Sequence, residues 1–266
     1  MKTARELLNE YGLTPNKALG QNFLVDEAVI EAIVRAAAEP ALPMVEIGPG
    51  LGALTFPLAA AGLPMAAVEL DAALADLLRA RLPGNASVVN EDFMKTDIEW
   101  LAEKLGGDIS VVGNLPYYIT SPICMRLVTS KAPIRRMTLM MQSEAADRFT
   151  AQPGSKNYGP LTVLSRLQYD VSELIALSPA SYYPQPDVSS SVLVFDRNGS
   201  ELPAAMPRLL KCAFAMRRKT LLNNLSAMGL SKADAAGVIS AAGLEPTVRA
   251  EALDPDDFVR LCRLIG

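Results

Sequence analysis

Four consecutive residues, Asn114-Leu115-Pro116-Tyr117, bring an amide, backbone carbonyls and a flat ring together at one point of the chain. They close the apolar run Ile109-Ser110-Val111-Val112-Gly113, which reads as a buried strand. Pro116 cannot extend that strand because it has no N–H for the ladder. Leu115, placed before the proline, is biased to an extended conformation. Such a strand end suits a planar amine carried on an aromatic base. The Asn114 amide oxygen and the carbonyl of Leu115 or Gly113 can accept from the two amine N–H groups, while Tyr117 stacks on the ring. Accepting both protons draws the nitrogen lone pair out of conjugation and aims it at an electrophile. A tetrapeptide is a hypothesis until its context is found.

The context is a series of polar groups at other strand ends. Met44-Val45-Glu46-Ile47 reads as a strand and runs into the glycine turn Gly48-Pro49-Gly50-Leu51-Gly52. Such a turn lets a ligand approach the backbone and a helix N-terminus. Glu69 ends a second strand 21 residues after Gly48, where an acidic side chain binds ribose hydroxyls. Asp92 follows a third strand and can accept from an exocyclic amine, and Asn114 closes the fourth. Polar groups in series at the carboxyl edge of a parallel sheet describe a nucleoside pocket. The turn has the spacing G-x-G-x-G and not the dinucleotide G-x-G-x-x-G. With the acceptor pair for an amine, this favours S-adenosylmethionine over NAD.

The elements that must hold these residues follow from the apolar pattern. The spacing predicts strands at Met44–Ile47, Met65–Leu70, Ser87–Val89, Ile109–Gly113 and Met137–Met141, alternating with helices at 53–61, 71–82, 98–105 and 121–130. Strand–helix alternation implies right-handed crossovers and a parallel sheet with helices on both faces. Upstream, Thr3–Tyr11 reads as a short helix, and Asp26 as the N-cap of a helix running to about Glu39. Downstream come helices at 143–150 and 161–169, β-rich stretches at 172–177 and 188–195, and a linker at Arg197-Asn198-Gly199-Ser200. Four further helices follow, near 208–216, 219–228, 232–242 and 255–264. The fold class is therefore α/β, a Rossmann-like sheet over residues 1–198 with a small all-helical domain over 199–266.

Composition narrows the chemistry. Histidine is absent from the 266 residues, which excludes His-based triads and His metal sites. Cys124, Cys212 and Cys262 are scattered and lack zinc spacing, so no metal is expected, and reduced thiols suit a cytoplasmic protein. No apolar run approaches a membrane span, and the start Met1-Lys2-Thr3-Ala4-Arg5-Glu6 has no secretory h-region. Net charge is −4, but the stretch from Ser200 onward carries nine Lys+Arg against seven Asp+Glu. Nucleic-acid binding must then come from local patches, chiefly Arg217-Arg218-Lys219 with Lys211.

Taken with its neighbours, the tetrapeptide resembles the ribosomal RNA adenine N6-dimethyltransferases, and in particular their bacterial small-subunit branch. The resemblance rests on LGQNFL at 19–24, EIGPGLGALT at 46–55, VELD at 68–71, ED at 91–92 and NLPYYITSPI at 114–123. It continues through Gln142-x-Glu144, Arg148, the loop Ser155-Lys156-x-Tyr158-Gly159, and Tyr182-x-Pro184-x-Pro186-x-Val188-x-Ser190. AFAMRRKTLLNNL at 213–225 and RAEAL at 249–253 complete it. The resemblance implies dimethylation, from S-adenosylmethionine, of two adjacent adenosines near the 3′ end of small-subunit rRNA within an immature 30S particle. A monomer is expected. It also implies cofactor contacts at Asn22, Leu24, Gly48, Glu69, Asp92 and Asn114, with Gln21 and Gly50 beside them in the same motifs. Asn114 to Tyr117 would be the catalytic tetrapeptide, and Tyr182, at a position usually phenylalanine, would stack on the base opposite Tyr117. Lys156, Lys211, Arg217, Arg218 and Lys219 would face RNA. The rivals are the related large-subunit enzyme of macrolide resistance, and a non-catalytic assembly or transcription factor of the same fold.

Overall fold

The computed structural model of the chain describes residues 3–265. Met1 and Lys2, part of the stretch read above as lacking a leader, lie outside the described residues, as does Gly266. In chain order the elements are α1 (Ala4–Glu10), β1 (Phe23–Leu24), α2 (Glu27–Ala37), β2 (Met44–Ile47), α3 (Thr55–Ala60), β3 (Met65–Glu69), α4 (Ala72–Arg79), β4 (Ala86–Asn90), α5 (Ile98–Leu105), β5 (Ile109–Asn114) and α6 (Thr120–Thr129). Then follow β6 (Ile134–Gln142), α7 (Ser143–Thr150), α8 (Pro160–Gln168), β7 (Tyr169–Leu177), β8 (Tyr182–Tyr183), β9 (Ser190–Arg197), α9 (Met206–Ala213), α10 (Leu221–Ser226), α11 (Lys232–Ala241) and α12 (Pro255–Ile265).

The helix starts are fixed by local chemistry. Asp26, Asp71 and Asp97 each accept backbone N–H groups of the turn they open, satisfying donors a helix cannot use itself. The strands assemble into a seven-stranded sheet of order β4-β3-β2-β5-β6-β9-β7. Pairs β2–β3, β3–β4, β2–β5 and β5–β6 are parallel. These five strands form the parallel sheet expected from their alternation with helices, and β9 adds to it antiparallel to β6. An ion pair reinforces that pairing: Arg136 and Asp196 are register partners, with Nε 2.7 Å from Oδ1. The chain order reverses between β2 and β5, which opens a crevice at the carboxyl ends of those strands. Gly113 permits the close approach of β5 to β2 there, since a Cβ on it would fall 2.7 Å from the Ile47 carbonyl oxygen.

A two-stranded antiparallel sheet, β1 with β8, was not foreseen, because two-residue strands carry no readable alternation. It is held by Val25 N–H donating to the Ser181 carbonyl at 2.9 Å, and by Ser181 Oγ donating to Asp26 at 3.0 Å.

The chain divides into two compact units, one comprising the chain up to Ala146 with Val171–Arg197, the other Asp147–Asp170 with the chain from Asn198. The expected boundary after 198 therefore needs an addition, since residues 147–170 join the second unit. The reason is aromatic packing: Tyr158 meets Phe214 at 6.2 Å between ring centroids, and Phe214 stacks on Phe258 at 5.7 Å. The Tyr158 hydroxyl donates to the Leu253 carbonyl at 2.6 Å. Among the described residues no helix is long and apolar enough to cross a membrane.

Candidate active site

A cavity opens at the switch point, lined wholly from the first unit. Its walls include Gln21, Asn22 and Leu24 from the segment around β1, Gly48 and Gly50 from the glycine turn, Glu69 at the end of β3, Asp92 after β4, and Asn114 to Tyr117 from the end of β5 onward. The sequence motifs thus converge although they span almost a hundred residues.

Glu69 is buried, and both its oxygens accept from backbone: Oε2 from Gly50 N–H at 3.0 Å and Oε1 from Asp71 N–H at 2.9 Å. The carboxylate therefore holds the glycine turn in place while keeping lone pairs for a ligand hydroxyl. Burial raises its pKa, and those same N–H bonds oppose the shift. Gly50 has the left-handed φ of +57°, and the ring of Phe23 stands 3.0 Å from where a Cβ would be, so a side chain at this one position would be strained and crowded. Asp92 uses one oxygen to accept from Met94 N–H at 2.9 Å, which fixes the carboxylate at the cavity rim.

The amide of Asn114 is oriented by the chain itself. Its Nδ2 donates to the Asn22 carbonyl at 2.8 Å. Because a carbonyl can only accept, the nitrogen must face Asn22 and Oδ1 is left as an acceptor. Leu115 lies just past the last β5–β6 rung, Asn114 with Met140, and is anchored by its N–H to the Met140 carbonyl at 2.9 Å. Gly113 lies inside the ladder between Ile47 and Leu139, which makes the Leu115 carbonyl the better placed of the two acceptors considered. The Pro116 carbonyl is taken by Thr120 Oγ1 at 3.0 Å. Tyr117 is half-buried in the cavity wall, and its hydroxyl lies 2.9 Å from Ser190 Oγ.

The side chains of three expected residues are turned toward the chain itself. Gln21 lines the cavity, but its amide is engaged at both ends, accepting from Asn16 N–H at 2.7 Å and donating to Asp71 at 3.2 Å. Asn22 contributes its carbonyl, through Asn114, while its side chain turns back to the Gly20 carbonyl. Tyr182 is packed into the core with Leu24, Met140 and Val192 and is not among the described residues lining the cavity. Pairing of β8 with β1 at Leu24 turns this ring toward the core.

Reading the sequence for a site missed Glu46, Phe93, Tyr118 and Ser190. Glu46 was noticed only for its position before the glycine turn. It lines the cavity, is fully buried, and its Oε2 has no hydrogen-bond partner among the described residues. Burial pushes its carboxyl up to about 8, with Thr55 offsetting part of this and the Glu69 charge adding to it. A carboxyl oxygen without a partner among the described residues, a glycine turn and a ribose-type acidic residue in one cavity fit a nucleoside such as that of S-adenosylmethionine.

The basic residues belong to the second unit. Arg217, Arg218 and Lys219 are exposed on the turn between α9 and α10, where the sequence had suggested a helix start. Lys211 is exposed on α9. Lys156 is exposed too, and its carbonyl accepts from Arg217 Nη1 at 2.9 Å, joining the two segments. Asn224, buried beneath the turn, donates to the carbonyls of Ala213 (2.7 Å) and Met216 (3.3 Å) and so fixes its shape. No group of three or more His, Cys, Asp or Glu residues suited to a metal ion occurs among the described residues.

Comparison with known proteins agrees with this geometry. Residues 12–265 match the family model described as Ribosomal RNA adenine dimethylase. A Ribosomal RNA small subunit methyltransferase A of Lactobacillus delbrueckii is 40% identical, covering 98% of this chain and 94% of its own. The protein of that name from Myxococcus xanthus is 37% identical over 100% and 96%. Among solved structures, a dimethyladenosine transferase from Plasmodium falciparum shares the fold with a TM-score of 0.72 at 23% identity, covering 90% of this chain and 95% of that one. The 23S rRNA methyltransferase ErmE reaches 0.65 at 26% identity, over 91% and 99%. The sheet is the Rossmann-like one of S-adenosylmethionine-dependent methyltransferases, and the chain belongs to the ribosomal RNA adenine dimethylase family.

Proposed function

We propose that this chain transfers methyl groups from S-adenosylmethionine to N6 of two adjacent adenosines near the 3′ end of small-subunit rRNA, giving N6,N6-dimethyladenosine. It acts in the cytoplasm as a monomer on an immature 30S particle, and contributes to small-subunit biogenesis. The observation that carries the reading is the Asn114–Asn22 hydrogen bond, which leaves Asn114 Oδ1 as an acceptor next to the Leu115 carbonyl.

S-adenosylmethionine, when bound, supplies a methyl group on a sulfonium centre. Glu69, Asp92 and the Gly48–Gly50 turn would hold its nucleoside part, and Glu46 lies in the same wall. The remaining work falls to orientation. Asn114 Oδ1 and the Leu115 carbonyl hold the two N–H groups of the adenine amine, which directs the lone pair away from the ring. These acceptors strengthen as positive charge develops on the nitrogen, so they act mainly in the transition state. The surplus proton then leaves to water, and no general base is needed, in keeping with a chain that has no histidine. The target adenine must leave its stack, which is least costly in a single-stranded loop.

Small-subunit specificity is supported by relatives at 36–40% identity that carry the small-subunit name, against 26% for the large-subunit ErmE. The test is transfer of labelled methyl groups to small subunits from cells lacking this modification, and to naked large-subunit RNA, with the modified bases mapped. Label on two adjacent adenosines of the small subunit is expected. Label on naked large-subunit RNA would point to the resistance-type enzyme. Cofactor binding without transfer to either would point to an assembly factor.

A further inference from the structure

Three hydroxyls from distant parts of the chain meet beside the cavity. Tyr117 follows Pro116 in a short 3-10 turn, and its phenol is 2.9 Å from Ser190 Oγ. Ser190 opens β9 and is fully buried. Its backbone is registered against Gln142, and the residue before it accepts from Ser143 N–H at 3.1 Å. Strand pairing therefore fixes where the Ser190 hydroxyl points, whereas Tyr117 sits on a turn and gains its fixed side-chain anchor from that hydroxyl. The third hydroxyl belongs to Tyr182. It is buried and makes no hydrogen bond of acceptable geometry among the described residues. It nevertheless lies close enough to Ser190 and Tyr117 for both to affect its ionisation.

An unpaired buried hydroxyl is costly, and phenylalanine would fill the same space without it. Each of the three hydroxyls can donate and accept, so the bonds among them can be exchanged with little movement. Resting on the reading that Tyr117 stacks on the target adenine, we propose that Ser190 is a positioning residue that sets the plane of the Tyr117 ring through its phenol, and that the Tyr182 hydroxyl is a second station of the same clamp, engaging the trio when an adenine is seated. Ser190 and the Tyr182 hydroxyl then touch neither cofactor nor base and act through Tyr117.

The experiment is single-turnover methyl transfer to unmodified small subunits, with cofactor and particle saturating, for Ser190→Ala, Tyr117→Phe, the double variant and Tyr182→Phe. Misplacing a stacking ring by a fraction of an ångström costs orientation, so Ser190→Ala should lower the rate about tenfold while the KM for S-adenosylmethionine stays unchanged. In the Tyr117→Phe background, which keeps the ring but removes the anchored hydroxyl, Ser190→Ala should have no further effect. Tyr182→Phe should slow transfer without lowering the melting temperature. Equal losses from Ser190→Ala in both backgrounds would overturn the positioning role, since Ser190 would then act through the fold. A wild-type rate in Tyr182→Phe would overturn the second station. If Ser190→Ala melts early or loses cofactor, Tyr117→Phe decides the matter alone, because a wild-type rate there removes any role for the anchored phenol. Failure of the wild-type protein to methylate small subunits would be visible before any variant is compared, and would count against the functional reading instead.

Discussion

At the carboxyl edge of the sheet the polar side chains themselves are held still, whereas on the turn between α9 and α10 it is chiefly the backbone that is held, with Arg217 tied to the Lys156 carbonyl. Glu69 is fixed by the N–H groups of Gly50 and Asp71, and Asn114 by the Asn22 carbonyl. On the turn, buried Asn224 ties down two carbonyls while Arg218 and Lys219 extend into solvent. The first arrangement suits a reaction in which one nitrogen must be aimed, and preorganised groups cost no reorganisation at that moment. The second suits a polyanion met as a field, where long cations neutralise phosphates without a single required geometry. The cavity should thus fail all at once when one atom is removed, and the turn by increments.

The comparison is broken most severely by Asn114→Ala. It removes an acceptor and little volume, so the fold should persist while methyl transfer falls by about 100-fold or more, the scale for losing one preorganised hydrogen-bonding group. Transfer must be assayed with S-adenosylmethionine well above its dissociation constant in the variant. Glu69→Ala comes next, weakening cofactor binding by about 1.5–3 kcal/mol in calorimetry, as for a hydrogen bond to a charged group. Replacing Arg217, Arg218 and Lys219 by alanine should weaken binding to the small subunit and flatten its salt dependence, with cofactor affinity unchanged. An unaltered salt slope would return these residues to plain solvated surface.

The smallest effect separates pH from chemistry. With its folded-state pKa raised to about 8, Glu46 is protonated in the native protein where the unfolded chain is already ionised. Its contribution to stability is complete below the ordinary glutamate pKa and is lost as pH rises through about 8. The melting temperature of the ligand-free protein should therefore decline across the neutral range, and Glu46→Gln should flatten that decline. Parallel curves for the two proteins would show that Glu46 is ionised throughout.

Much of this was legible because the residues concerned are strand-terminal. Glu69, Asp92 and Asn114 each follow an apolar run, and a parallel sheet brings the ends of such runs to one edge. The strand Met44–Ile47 and the helix Ile98–Leu105 needed only periodicity, and the strand read as Met65–Leu70 ends one residue earlier, at Glu69. What escaped was set by contacts remote in sequence. The β1–β8 pair joins residues about 160 positions apart through strands two residues long. The Tyr117–Ser190 bond spans 73 positions, and a serine at the head of a strand has no local mark of a site. Residues 147–170 follow the sheet in sequence, but the face of Tyr158 finds its partners in Phe214 and Leu253. The inward turn of Tyr182 depends on its pairing with Leu24, which no motif reveals.

The division of labour between cavity and turn is tested most directly by combining Asn114→Ala with the triple replacement of Arg217, Arg218 and Lys219 and measuring methyl transfer as a function of small-subunit concentration. If the cavity aims the amine and the turn only gathers RNA, the two defects multiply at low particle concentration, and saturation restores the rate of Asn114→Ala alone. A saturated rate that stays depressed by the triple replacement, in an otherwise unchanged cavity, would contradict the account.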